Sequence, residues 1–291
     1  MLNRTEFDNV EETMADEKDA LAMGVAVATE WAKDSYQDIA HPAMAATGQV
    51  LGLIPQAINA ALMPLHQWVA EGYYKLDETK KLLAEKLKNV SANDVVPPEI
   101  HIAVPALQAI SYSMDNAEIR NMYANLLASS MMEKVKGDVH PAFVEIIKQL
   151  SPDEARILRY LNEKNVAQPM IALLLEKVGE NVWYDIITHF TNLYRTVPNL
   201  EYKDYNKVSV LLDNLSRQNL IVFHENNYIS IPNEYEPLEN DPVILNQMSQ
   251  EAPANHRWKI VKMYLELTSF GESFCRVCIA DPAEKTIGEQ G

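Results

Sequence analysis

One stretch near the middle of the chain repeats its apolar residues at the interval of an α-helix and carries a start signal in front of them. Asp115 can accept hydrogen bonds from the first free amides of a helix, and Glu118, three residues later, completes a capping box. Apolar residues then recur at a spacing that leaves one helical face to be buried. They are Ile119, Met122, Tyr123, Leu126, Leu127 and Met131. A capped, buried helix in this stretch makes a mainly helical fold the first expectation.

Further signals predict more helices on either side. Ser151, followed by Pro152 and Glu154, forms a second capping box with proline in the first turn. His140 with Pro141 opens a shorter helix before it. Apolar spacing and charge pairs predict additional helices over residues 74–90, 168–178, 181–195 and 204–218.

Two β features are predicted after the last of these helices. Residues 220–223 and 228–231 are apolar runs on either side of Asn226 and Asn227, a pattern typical of a β-hairpin. Residues 261–267 alternate apolar and polar side chains, which indicates a half-buried strand. A terminal helix is expected to begin at Thr268 and to include Cys278.

These elements together predict a mainly α fold. A multi-helix N-terminal domain is followed by a winged-helix-like α+β C-terminal domain with a small antiparallel hairpin or sheet. We assign residues 1–38 to an acidic N-terminal segment and residues 39–150 to the helical domain. Residues 151–281 form the winged-helix-like domain, and residues 282–291 a flexible tail.

The charge balance argues against nucleic acid as a partner. The 291 residues include 25 Lys and Arg against 41 Asp and Glu, a formal net charge of −16. Affinity for DNA or RNA depends on cations that neutralise phosphates. Residues 204–218, which would enter the major groove in a DNA-binding winged helix, carry two bases and two acids. A packing or protein-interaction module is therefore favoured over a DNA-binding regulator.

A charge-free window follows an acidic N-terminus. Residues 1–38 carry ten acids and three bases, whereas residues 39–70 contain no Asp, Glu, Lys or Arg. The window is long enough to cross a bilayer, but three prolines and scattered polar side chains interrupt it. We expect a buried or oligomer-facing helix pair, and the alternative is a segment that meets the inner membrane conditionally. The start of the chain lacks the pattern of a secretory signal, which predicts a cytoplasmic location.

The sequence contains few candidates for a polar functional site. Asn121, Asn125, Ser129 and Ser130 lie along the predicted central helix, and Asn125 and Ser129 share a face because they are four residues apart. His140 has no metal-binding spacing around it, so we expect a structural histidine bonded near a helix start. These side chains form the candidate polar face. No catalytic, cofactor-binding or metal-binding motif is predicted, and no cofactor is implied.

The two cysteines form a single C-x-x-C motif. Cys275 and Cys278 fall inside the predicted terminal helix, about one turn apart. A structural zinc site needs four ligands, and no second motif supplies the other two. Buried, reduced thiols are expected, and a zinc site shared across an oligomer is the alternative.

Long blocks of the chain form an ordered pattern. They begin with VPPE at Val96 and AVPAL at Ala103, continue as DNAEIRNMYANLLASSM from Asp115 and HPAFVEIIKQLSPDEA from His140, and end with LTSFGESFCRVC from Leu267. Over about residues 52–280 this pattern resembles the abortive infection alpha (Abi-alpha) family of bacterial proteins. The resemblance implies a role in bacteriophage resistance through death or arrest of the infected host. It implies no active site.

The favoured hypothesis is therefore a non-enzymatic, cytoplasmic antiphage defence protein. It would act by association with itself, or with a defence-system or phage protein. One version of the hypothesis brings residues 39–70 to the inner membrane during infection. The alternatives are a toxin enzyme, such as a nuclease with an unrecognised site, and a winged-helix DNA-binding regulator.

Overall fold

The computed structural model describes residues 53–65, 76–113 and 116–282, which belong to one unit, Leu51–Gly291. The expectations for residues 1–38 and for most of the window 39–70 lie outside the described residues, as does nearly all of the predicted tail 282–291. The first part of the described chain is helical. Its helices are α1 Leu53–Leu62, α2 Leu76–Lys86, α3 Ile100–Tyr112, α4 Ala117–Ser130, α5 Ala142–Lys148 and α6 Pro152–Lys164.

The second part combines an antiparallel sheet with shorter helices. Its strands pair in the order β2-β1-β4-β3. A π-helical turn, Cys275–Ile279, is the last of the described elements. The elements are β1 Gln168–Lys177, β2 Trp183–Thr191, α7 Leu193–Thr196, α8 Tyr205–Arg217, β3 Ile221–His224, α9 Glu236–Glu239, α10 Pro242–Met248, β4 His256–Leu267 and α11 Ser269–Phe274. The fold is thus helix-rich with a four-stranded antiparallel sheet near its C-terminus.

The two helices predicted over residues 168–178 and 181–195 are wrong, because these residues form β1 and β2. β1 lies between β2 and β4, and residues 170–175 are buried without interruption. A strand buried on both faces loses the two-residue alternation that would distinguish it from a buried helix. The overlooked signals were Gly179, which takes φ +83° in the connecting turn, and the aromatic and β-branched residues of β2.

The predicted hairpin is also wrong in its pairing. Residues 228–231 form no strand, and β3 pairs instead with the end of β4, with Ile221 opposite Leu267. The hydroxyl of Tyr235 accepts from the amide of Ile229 and donates to the carbonyl of Met263, both at 2.9 Å. The loop is therefore tied to the sheet by a side chain. The winged-helix arrangement, which required that hairpin, is not confirmed.

The central helix is confirmed, with a correction at its start. α4 buries Met122, Tyr123, Leu126 and Leu127, as the apolar spacing predicted. Its N-cap is Asn116, whose Oδ1 accepts from the amide of Ile119 at 3.2 Å. Asp115, to which the sequence assigned the capping role, lies outside the described residues.

Glu118, predicted as the capping partner of Asp115, forms ion pairs with two arginines of α6. Its carboxylate lies 2.8 Å from a guanidinium nitrogen of Arg159 and 3.7 Å from Nε of Arg156. Arg156 also pairs with Asp153, which accepts the amide of Glu201. These contacts join the start of α4 to α6 and to the loop before α8.

Two other helix starts carry side-chain caps, and the first of them was predicted. Ser151 accepts from the amide of Glu154, and the Glu154 carboxylate accepts from the amide of Ser151, so the capping box of α6 is complete. Asp204 caps α8 by accepting from the amide of Asn206 at 2.9 Å. Short-range signals of this kind depend only on neighbouring residues, which is why they could be read from sequence.

Part of the charge-free window packs into the core. α1 buries Ile58, Ala61 and Leu62, and Leu65 in the following turn is 1% exposed. α1 contacts α2, which supplies the buried residue Leu83, and Leu87 directly after α2 is also buried. Across the described ranges, none of the helices has the length and apolar character needed to span a membrane.

The two edges of the sheet approach each other around α8, which contacts both β2 and β3. The ring of His189, on β2, stacks on Phe223, on β3, with centroids 4.1 Å apart. His189 takes a left-handed φ of +50° at an irregularity in the β1–β2 register, and its Nδ1 lies 3.1 Å from Asp213 on α8. This histidine, isolated in sequence, has a structural role in joining three elements.

A close backbone approach fixes the start of α11. The hydroxyl of Thr268 accepts from the amide of Gly271 at 2.8 Å, and the Thr268 amide donates to the carbonyl of Leu220 at 3.0 Å. A Cβ at Gly271 would collide with the Leu220 carbonyl oxygen and would lie 2.8 Å from its carbon. Only glycine lets α11 contact the α8–β3 corner so closely.

Gly271→Ala should therefore destabilise the protein. Backbone cannot move aside as a flexible side chain can, so we expect the free energy of unfolding to fall by roughly 2–3 kcal/mol. Gly137→Ala is the matched control, because a Cβ there meets nothing within 4 Å. Urea denaturation followed by circular dichroism measures both. Equal stability of the two variants would contradict the close approach.

Candidate functional site

The candidate polar face lies on α4, at the centre of the helical part. Residues 122–130 of this helix are all buried, and α4 contacts α2, α3, α5, α6 and the C-terminal π-helical turn. A helix surrounded in this way has no solvent-facing side along most of its length. The polar residues on α4 must therefore find partners inside the protein.

Asn125 and Ser129 both bond to the C-terminal turn. Nδ2 of Asn125 donates to the carbonyls of Cys278 and Ile279, at 3.0 and 3.3 Å. The hydroxyl of Ser129 donates to the carbonyl of Val277 at 3.1 Å. The last carbonyls of a helix lack partners within it, and these two side chains satisfy three of them in succession. Both side chains, which share one face of α4, therefore bond to the same turn.

The other candidates do not join this cluster. Ser130 donates to the carbonyl of Leu127 within its own helix, at 2.7 Å, and Asn121 is half-buried nearer the start of α4. His140 is exposed at the start of α5, where its Nδ1 accepts from the amide of Ala142 at 3.1 Å. Its ring packs near Phe143 and Phe270. His140 therefore has the structural role that its place near a helix start predicted.

The two cysteines are buried inside the same junction. Both are 0% exposed and unbridged, as expected. Burial, reinforced by Glu272, raises the pKa of the Cys275 thiol to about 12. Its Sγ lies 3.9 Å from the carbonyl oxygen of Leu158. No group of three or more His, Cys, Asp or Glu within the described ranges is arranged to hold a metal ion.

A different surface has the character of an interaction site. The β1–β2 hairpin exposes large apolar side chains at its outer end, with Trp183 52% and Tyr184 53% exposed. Sequence reasoning missed this surface because it placed both strands in helices. The signal was present as the β-branched and aromatic run beginning at Val182. The exposed residues are Val178, Val182, Trp183, Tyr184 and Ile186.

Comparison with known proteins identifies the family. The sequence profile of the family described as abortive infection alpha matches residues 71–278, well over half of the chain. The chain belongs to the abortive infection alpha family. No curated protein matches it.

A solved structure of an uncharacterized protein from the marine bacterium Alcanivorax borkumensis SK2 aligns with part of the chain. The two are 17% identical, and the alignment covers 47% of this chain and 92% of the other with a TM-score of 0.31. A likeness at that level supports no argument about fold or function.

Loss of either polar side chain in the cluster should weaken the fold. Asn125→Ala and Ser129→Ala each remove buried hydrogen bonds to the C-terminal turn, so each should lower the free energy of unfolding by about 1–3 kcal/mol. Ser130→Ala is the matched control on the same helix. Its acceptor, the Leu127 carbonyl, keeps the amide of Met131 as a partner, and we expect a loss below about 1 kcal/mol. Guanidinium denaturation compares the three, and a larger loss in the control would contradict this role.

The buried thiols should be inert in the folded protein. Because the thiolate is the reactive form, a buried thiol of raised pKa reacts slowly at pH 8. We expect both cysteines to react with Ellman's reagent only after unfolding in guanidinium chloride. Rapid, stoichiometric labelling of the native protein would show that the junction is open to solvent.

Proposed function

We propose that this protein is a cytoplasmic antiphage defence factor that arrests or kills the infected bacterium through protein association. The observation that carries the proposal is the family match over residues 71–278. That range includes α4, the sheet and the C-terminal turn as far as Cys278. The proposal therefore concerns the folded unit described above.

Association is favoured over chemistry at the candidate polar face. Asn125 and Ser129 are 3% and 0% exposed and already bond to the C-terminal turn, so a substrate would have to displace that turn to reach them. The end of the β1–β2 hairpin, by contrast, presents apolar area to solvent. Exposed apolar patches are typical of protein interaction surfaces.

Contact with the inner membrane is a second candidate, supported by the charge-free window of residues 39–70. Its described part contributes Ile58, Ala61, Leu62 and Leu65 to the core. Moving that part onto a lipid surface would first expose these side chains, at a cost of about 1.5–3 kcal/mol for each large one. In this version, infection must supply a contact that offsets that cost.

The proposal predicts protection of a bacterial population with loss of the infected cells. Cells that express the protein should lower the plating efficiency of a sensitive phage, and at high multiplicity of infection the culture should stop growing without releasing a normal burst. Plating assays and one-step growth curves measure this. Empty vector is the negative control, and Gly271→Ala tests the need for the fold. Normal bursts from every phage in a diverse panel would count against the proposal.

A membrane-potential dye separates the two versions. Depolarisation during infection, lost when residues 39–70 are deleted from a variant that still accumulates, would favour membrane contact. Protection with unchanged membrane potential would favour association between proteins.

A further inference from the structure

The outer end of β2 is an unpaired strand edge with exposed side chains on both faces. β2 is the first strand in the order β2-β1-β4-β3, so at this end one side of its backbone pairs with β1, and no strand among the described residues pairs with the other side. We infer that residues 182–186 of this edge pair antiparallel with the same residues of a second copy of the chain. The inference rests on the function proposed above and assigns its self-association surface.

The backbone direction along this edge follows from the hairpin. The amide of Lys177 donates to the carbonyl of Val182 at 2.9 Å, so the backbone groups of Val182 face β1. These directions alternate along a strand. Tyr184 therefore also faces β1, whereas the amides and carbonyls of Trp183 and Asp185 point outward and are available to another strand.

The edge lacks the protection that solvent-exposed strands usually carry. Native edges are shielded by lysines, prolines or bulges. Residues 182–186 include no Lys, Arg or Pro, and Asp185 is the one charged residue among them. A bulge lies only at the end of this segment. Leu174 pairs with Asp185 and Leu173 pairs with Ile187, so Ile186 is an additional residue of β2 with no partner on β1. A short regular edge is thus left open.

One register suits self-pairing. With the two-fold axis at Tyr184, each outward-facing Trp183 lies opposite the partner's Asp185, so both hydrogen-bonding positions are used. Moving the axis to Asp185 would set two carboxylates against each other, which is destabilising. Moving it to Trp183 would bring the turn residue Asn181 into the pairing. The register centred on Tyr184 avoids both conflicts.

Charge also favours a second copy at this surface. The protein carries −16 overall, so two copies repel each other over most of their surface. Residues 176–186 and 256–259 carry no net charge, because three acids meet three bases. The acids are Glu176, Glu180 and Asp185, and the bases are Lys177, Arg257 and Lys259. Glu176 pairs directly with Arg257 and Lys259, at 2.6 and 2.7 Å.

The size of the surface predicts a reversible dimer. Five residues on each side bury less than the roughly 1,200 Å² of a standard stable interface. Interfaces below that size are typical of weak, transient complexes. Self-pairing should therefore depend on the protein concentration, and assembly would follow accumulation of the protein.

A cysteine at the two-fold axis tests the register directly. Opposed residues at a non-hydrogen-bonded antiparallel position have Cα atoms about 4.5 Å apart, within the range that a disulfide spans. Tyr184→Cys should form a covalent dimer under mild oxidation, seen on a non-reducing gel. Val178→Cys is the matched control, since Val178 is equally exposed but would lie more than about 20 Å from its counterpart. The native cysteines are buried and do not interfere.

A proline at an outward-facing position tests the hydrogen bonds. Asp185→Pro removes an amide that points away from β1, so β2 should still pair with β1 while the free edge is blocked. Asp185→Asn is the control that keeps the amide. Sedimentation velocity from about 1 to 200 µM should show a rising weight-average coefficient for wild type and Asp185→Asn, and a constant lower one for Asp185→Pro. Circular dichroism and thermal melting verify that all three are folded.

The inference is overturned if Tyr184→Cys fails to cross-link, if both cysteine variants cross-link equally, or if Asp185→Pro sediments as wild type does. A wild-type chain that stays monomeric but floats with phosphatidylglycerol vesicles would assign this edge to a lipid surface instead.

Plating assays separate this inference from the proposed function. Protection by wild type and equally by a monomeric Asp185→Pro would retain the defence role and reject self-pairing as its basis. Absence of protection by wild type would count against the defence role, whatever the cross-linking result.

Discussion

The contact between α4 and the C-terminal π-helical turn holds the two parts of the described structure together. Asn125 and Ser129 reach across about 150 positions of sequence to donate to the carbonyls of residues 277–279. The turn that they hold also carries both cysteines and follows directly from α11. Because α11 is fixed against Leu220 through Thr268 and Gly271, the same contact secures the α8–β3 corner and the end of β4. The helical part and the sheet therefore share one core.

This arrangement explains why Asn125 and Ser129 bond within the protein. A helix buried on all sides cannot present asparagine or serine to a substrate, but it can satisfy the open end of another helix. The outer end of the sheet is constrained differently. β1 and β2 extend beyond the helices that cover their other end, so Trp183 and Tyr184 remain exposed. The surface with the clearest capacity for interaction is therefore distant in sequence from the polar residues that first suggest a site.

Sequence reasoning succeeded where a signal involves neighbours along the chain. The capping box of α6 and the apolar face of α4 each depend on residues within a few positions of one another. Sequence reasoning failed at β1, because a central strand buried on both faces is a continuous apolar run, which is equally typical of a buried strand and of a buried helix. It also failed at β3, whose partner is the end of β4 rather than the nearer residues 228–231. The pairing of His189 with Phe223 had no local signal at all.

By itself, the sequence determined the helical character of the N-terminal part, the family, the acidity of the chain and the burial of both cysteines. These follow from composition, short-range spacing and ordered blocks, which need no knowledge of distant contacts. Only the tertiary structure decided that Asn125 and Ser129 serve the C-terminal turn, that Asn116 caps α4, and that β2 lies at the end of the order of the described strands. Strand order and the partners of buried polar groups depend on which distant segments pack together. That choice is made by the free energy of the whole core, not by any single stretch of the chain.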